Sequence, residues 1–315
     1  MNEKTERQIE AMKDQTIGVE IEMYSITRRK ACETVAKFFN TEDTVYHIGG
    51  SYDAYACKDN LGREWKITRD VSISAACDSE ETELGTPILH YNDIKDLQAI
   101  VRCLRKAGAK SDPAHMCGVH IHIGLDGHTP KTMRNLANIM ASHENLIISA
   151  LRLDQTRISR YCRTVDPDFL KELNLKKPTT MAAFSNIWYG SQSAEYGRNQ
   201  HYNQSRYHML NFHASFTHGT IEFRCFQFAN ANGTRKGGLH AGEIKSYIQL
   251  CLALSQMAKA TKSASPKQPQ VDNPKYAMRT WLLRLGFIGE EFATAREILT
   301  RNLDGDTAFR FGRAA

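Results

Sequence analysis

The chain has 315 residues, 41% of them apolar and 24% charged, a globular composition that excludes disorder as the overall state and supplies enough material for one large catalytic domain with a small appendage. Lysine and arginine total 41 against 35 acids, for a net charge of +6. An excess this mild suits anionic substrates, and with no basic run or tail to concentrate it, nucleic acid is not indicated as a ligand.

In chain order, the start Met1-Asn2-Glu3-Lys4 lacks the apolar stretch of a signal peptide, and no eighteen successive residues are apolar, so no membrane span is expected. Ile17 to Tyr24 reads as a strand, and Arg29 to Phe39 places Ala31, Val35, Phe38 and Phe39 on one helical face. Residues 45–89 break into short apolar pieces between Gly, Asp and Ser, which predicts strands and loops. Ile94, Leu97, Ile100, Val101 and Leu104 predict a helix that stops before Gly108, and a strand follows at 117–124. Thr129-Pro130 opens the longest predicted helix, with Thr as cap and Pro at the first helical position, running to Leu151. A polar stretch at 160–205 reads as loop-rich, Tyr207 to Phe228 as paired strands, and 239–260 as a helix. The Pro-, Ser- and Lys-rich residues 261–275 read as a linker or exposed loop, so the expected organisation is a catalytic domain over 1–260 and a helical extension over 276–315 packed on it. The eight cysteines include no CxxC pair, which excludes that type of zinc site, and Cys103, Cys225 and Cys251 lie in apolar segments as small hydrophobes. Together these features place the protein in a reducing cytoplasm.

Three predicted strands repeat one pattern. Val19, Ile21 and Met23 alternate with Glu20 and Glu22; Val119, Ile121 and Ile123 alternate with His120 and His122; Ile221, Phe223 and Cys225 alternate with Glu222 and Arg224. Any one strand of this kind is ordinary for a sheet with one face in water. Glu/Glu, His/His and Glu/Arg together point instead to divalent cations and phosphate, since hard cations take carboxylate oxygens and a forked guanidinium suits a phosphoryl group. Glu222 could equally pair with Arg224 as a surface ion bridge.

The sequence resembles the amidoligase family, a branch of the carboxylate-amine ligases that share the catalytic fold of glutamine synthetase and glutamate-cysteine ligase. The matching blocks, in order, are Gly18-Val19-Glu20-Ile21-Glu22; Trp65-Lys66-Ile67 with Asp70-Val71-Ser72; Glu83-Leu84-Gly85-Thr86-Pro87-Ile88-Leu89; Cys117-Gly118-Val119-His120-Ile121-His122; and Arg206 to Asn211 with Thr220-Ile221-Glu222-Phe223-Arg224. Val71 and Thr86 depart from the pattern, where Gly and Ser are usual.

The resemblance implies an α+β fold: a curved antiparallel sheet of the glutamine-synthetase type with helices on one face, plus the small C-terminal helical cap. It implies ATP with Mg²⁺ or Mn²⁺ as cofactors, and small-molecule carboxylate and amine substrates, a peptide or modified nucleobase among the options. Glu20, Glu22, Glu83, His120 and Glu222 correspond to metal ligands. His122, Arg206 and Arg224 correspond to positions near phosphate or substrate carboxylate, with Arg224 acting on the phosphoryl group and Glu83 or Asp70 accepting the amine's proton. Each of Glu83, His122 and Arg206 also has a plain structural reading, as do Trp65 and Asn211. Two alternatives stay open at this point: a hydrolase with metal held by His120 and His122, and an inactive nucleotide-binding relative.

Overall fold

A computed structural model describes residues 3–200, 202–229 and 237–308. The fold is α+β. Eight strands are described, β1 (Ile17–Met23), β2 (Tyr46–Gly49), β3 (Ala54–Lys58), β4 (Glu64–Thr68), β5 (Thr82–Gly85), β6 (Val119–Gly124), β7 (Leu210–Asn211) and β8 (Thr220–Phe226). The α-helices are α1 (Glu3–Lys13), α2 (Arg28–Phe39), α3 (Ile94–Lys106), α4 (Pro130–Leu151), α5 (Gln155–Arg160), α6 (Pro167–Lys176), α7 (Met181–Ser191), α8 (His213–Thr217), α9 (Ala241–Ala260), α10 (Pro274–Arg284) and α11 (Ala293–Thr300). None is long and apolar enough to cross a membrane among the described residues. The chain divides into two compact units. A sheet unit holds Thr16–His122 and Phe226–Lys245; a helical unit holds Met1–Gln15, Ile123–Cys225 and Ser246–Ala315.

In the sheet unit the strands lie in the order β2-β3-β4-β5-β1-β6. The pairs β2/β3, β3/β4, β4/β5 and β5/β1 are antiparallel. β6 runs antiparallel to β1 as well, because Glu22 N–H donates to Gly118 O while Gly18 lies against His122, so partner numbers fall as β1 numbers rise. α2 packs on β3, β4 and β5 and against α3. Alternation sends Val19, Ile21 and Met23 to the buried side of β1, and the 3.6-residue period sends Ala31 and Val35 of α2 and Leu97, Val101 and Leu104 of α3 into the same core. Each large apolar side chain so covered contributes roughly 1.5–3 kcal/mol.

The helical unit is built on α4, which touches α6 and α11, while α10 packs on α11 and α7 on α6. The cap read from the sequence is present, with the Thr129 hydroxyl accepting from Thr132 N–H and Pro130 in the first turn. Two expectations need correction here. The stretch 160–205 contains α6 and α7, whose Phe169, Phe184 and Trp188 form an aromatic cluster, with Asp166 and Thr180 as the helix caps. Residues 207–228 are not simply paired strands, because α8 separates β7 from β8. The charged N-terminus is the helix α1, with Ile9 and Met12 buried. The polar segment after α9 is tied to α4: Asn138 Nδ2 donates to Ala264 O at 2.9 Å, Gln268 Nε2 to Ala141 O at 3.1 Å, and Asn145 Nδ2 to Gln268 Oε1 at 2.7 Å.

Candidate metal and phosphate site

In the sheet unit, three neighbouring strands bring the predicted acids and histidines together. Glu22 of β1 is directly opposite Glu83 of β5, so the two carboxylates share a face, and Glu20 faces His120 by the β1/β6 register. Glu20 Oε2 lies 2.8 Å from His120 Nδ1, and Glu22 Oε1 lies 3.6 Å from His120 Nε2. His122 Nε2 stands 3.3 Å from Glu20 Oε1. Gly118 N–H donates to Glu22 Oε2, and Thr68 Oγ1 donates to Glu83 Oε1 at 3.3 Å. Burial alone would raise the Glu20 carboxyl; the charge of His122 and hydrogen bonds from His120 and His122 outweigh it and hold Glu20 well below the usual carboxylate range.

Two sets of donor atoms in this unit lie within 4.8 Å of one another: Glu20, Glu83 and His120, and Glu22, Asp70 and Glu83. Glu83 belongs to both. Asp70 follows β4 and folds back in a tight turn, one oxygen accepting from Ser72 N–H at 2.7 Å. Sequence reasoning took Asp70 as a proton acceptor; the structure groups it with the acids suited to a hard cation. Carboxylate oxygens with one imidazole are the donor chemistry of Mg²⁺ or Mn²⁺, so the residues fit such ions.

The two departures from the family pattern are accounted for. The Thr86 hydroxyl accepts from Val19 N–H at 3.0 Å, a task any hydroxyl residue fulfils, and Val71 is 74% exposed, where a side chain meets only water. Trp65 is structural: it is buried against Phe39 and donates Nε1–H to Asp59 at 3.2 Å.

The remaining predicted residues, Arg206, Glu222 and Arg224, lie in the helical unit. Glu222 and Arg224 share a face of β8 as the alternation predicts, and Arg224 Nη1 donates to Glu222 Oε1. This is not a surface bridge, because Glu222 is 3% and Arg224 5% exposed. Asn211, directly opposite on β7, donates to Glu222 Oε2 at 2.6 Å and accepts from His213 N–H at 2.8 Å, so its amide orientation is fixed. Tyr207 escaped the sequence reading: the Arg206 and Arg224 guanidinium carbons lie 5.8 and 5.9 Å from its ring centre. Its place directly after Arg206 in a matched block was the available signal. A second missed cluster, Tyr24 with Asp112 and His115, had none. There Tyr24 donates to Asp112 at 2.6 Å, and His115 Nδ1 lies 2.8 Å from the same carboxylate.

Comparison with known proteins adds three findings. No curated protein matches the chain. Among solved structures, a bifunctional glutathione synthetase from Pasteurella multocida aligns with 96% of this chain and 49% of its own, at 12% identity and a TM-score of 0.44, so this chain spans about half of that protein's length. The family model described as "Putative amidoligase enzyme" matches residues 13–255, which take in the acid cluster on β1, β5 and β6 and the Glu222–Arg224 pair of β8. With most of its length inside that match, the chain belongs to the amidoligase family.

Proposed function

We propose that the protein is an ATP-dependent ligase that joins a small-molecule carboxylate to an amine through an acyl phosphate, on a sheet of the glutamine-synthetase type. The observation that carries this reading is the sharing of Glu83 by two sets of donors, Glu20/Glu83/His120 and Glu22/Asp70/Glu83, which suits a pair of cations bridged by one carboxylate. Mg²⁺ or Mn²⁺ held there would supply positive charge to offset that of the ATP phosphates. In this reading Glu20, Glu22, Glu83, Asp70 and His120 would hold metal. His122 and Arg206 attract phosphate or the substrate carboxylate, and Arg224 steadies the phosphoryl group in transfer.

The substrate carboxylate oxygen attacks the γ-phosphorus, the bond to ADP breaks, and the amine nitrogen then attacks the acyl carbon as phosphate departs. The amine must also lose a proton, which Asp70 or Glu83 takes through an oxygen not engaged by metal. We further propose a cytoplasmic location, in keeping with eight cysteines that are all free.

The test is a screen of carboxylate and amine mixtures with ATP and Mg²⁺, following phosphate release and product mass. The expected result is phosphate release that needs both reactants and a product whose mass is their sum less one water. Phosphate release without such a product, or one tightly held zinc in the purified protein, would count against the ligase and favour a hydrolase.

A further inference from the structure

Within the helical unit, α4, α10 and residues 268–273 enclose a cavity of about 560 Å³, inside the range typical of small-molecule sites. None of the residues assigned to the ligase reaction lines it. We propose that this cavity binds a planar aromatic anion.

The flat element is a ring pair. His143 of α4 and Trp281 of α10 stack with centroids 4.0 Å apart and planes 11° from parallel, and both line the cavity with Tyr276. Stacked rings of this kind favour another flat π-system over an aliphatic one of equal size. His143 Nδ1 lies 3.0 Å from Ile139 O and 2.8 Å from Ser142 Oγ, contacts that fix the plane of the ring. Burial lowers the His143 pKa, with a smaller push from Arg284, while the bond to Ile139 works the other way; the ring stays an uncharged stacking surface.

The charge preference comes from position along α10. Arg284 is exposed at the cavity's lip one helical turn after Trp281, and its charge is felt at His143, so the cation and the flat surface are at the same end. Asp272, the acid in the wall, precedes α10 and is twelve residues from Arg284, about 18 Å along a helix, which is too far to cancel a cation at the other end. No ion pair of Arg284 is found among the described residues. Trp281 is 5% exposed, so its ring is held firmly in the wall beside His143.

The probes are 2-naphthoate, its neutral alcohol analogue 2-naphthylmethanol, and the non-planar anion cyclohexanecarboxylate, titrated into the full-length protein by calorimetry and ligand-observed NMR. Naphthoate is expected to saturate below millimolar concentration and to bind at least about tenfold more tightly than the alcohol or the non-planar acid. Arg284→Gln, an exposed change whose folding is checked by its melting curve, should bring naphthoate to the alcohol's level, and Trp281→Leu should erase the preference for planar rings. The proposal is overturned if naphthoate fails to saturate at millimolar concentration, binds no better than either control, or binds Arg284→Gln as it binds the parent protein.

Discussion

Strands β1 and β8 carry the same signature in the sequence, two charged side chains two residues apart, but they dispose of that charge in opposite ways. On β8 the charges are met locally: Glu222 accepts from Arg224 through one oxygen and from Asn211 through the other, all three buried. On β1 the neighbouring strands add carboxylate to carboxylate, Glu83 opposite Glu22 and Asp70 beside both, with His120 and His122 grouped around Glu20. A buried pair bonded side chain to side chain holds its own geometry. A concentration of acids on one rigid face costs free energy unless a cation joins it, and is the stronger pointer to chemistry.

The largest expected effect tests the closed pair. Arg224→Met leaves Glu222 buried beside Asn211 without its cation and should destabilise the protein by about 3–5 kcal/mol in denaturant melts, whereas Glu222→Leu together with Arg224→Met should recover most of that loss. If the single change costs less than about 1 kcal/mol, the pair behaves as an exposed one and the contrast with β1 fails. Arg224→Lys keeps the charge and loses the fork. Once a substrate pair is known, it should lower turnover about a hundredfold, equivalent to about 3 kcal/mol, with a much smaller change in ATP affinity. Unchanged turnover would leave β8 with a structural task alone.

The acid cluster is tested by comparing two of its members. Glu83 is in both donor sets and Asp70 in one, so Glu83→Gln should weaken Mn²⁺ binding at least about a hundredfold and Asp70→Asn about tenfold, measured by electron paramagnetic resonance of free Mn²⁺. Without metal, Glu83→Gln should be at least as stable as the parent, because it removes one of several like charges. Equal effects on Mn²⁺ would mean that Glu83 is not shared.

This asymmetry was only partly legible in the sequence. Strand alternation fixes which side chains share a face, so Glu20 with Glu22 and Glu222 with Arg224 could be read directly, as could the Thr129–Pro130 start of α4. Register could not. That Glu83 falls opposite Glu22, and Asn211 opposite Glu222, depends on how strands distant in sequence align, which no local period encodes. The polar stretch 160–205 was misread for a related reason. Its helices are short, their caps Asp166 and Thr180 look like loop residues, and what stabilises them is an aromatic cluster completed by Phe212.

A third carboxylate sharpens the comparison by lacking what both strands supply. Glu144 of α4 is buried, accepts from Val165 N–H at 3.0 Å, and is pushed up to about 7 by burial, the hydrogen bond opposing only weakly. With the folded value above the unfolded one of 4.5, the neutral acid's stability is fully present below about pH 4.5 and is lost as pH rises to about 7. Glu144→Gln should therefore stabilise the protein by roughly 3 kcal/mol at pH 8 relative to its effect at pH 4.5. Chemical denaturation at the two pH values checks this. A pH-independent difference would mean that Glu144 is ionised in the fold, as Glu20 is.

The smallest expected effect concerns Gly18, at the point where β1 passes His122. A Cβ on residue 18 would meet His122 Cβ at 3.2 Å, closer than comfortable packing, so Gly18→Ala must push His122 outward by a few tenths of an ångström, at a cost of about 1 kcal/mol. The displacement acts on His122 and its contact with Glu20, while Glu22, Asp70 and Glu83 belong to a donor set that does not include His122. If His122 serves phosphate or substrate, Mn²⁺ affinity should stay within about threefold of the parent's. A loss as large as that of Asp70→Asn would instead make His122 a metal ligand. Metal binding on this face would then rely on both histidines of β6, and Arg206 and Arg224 would be left to meet the phosphate.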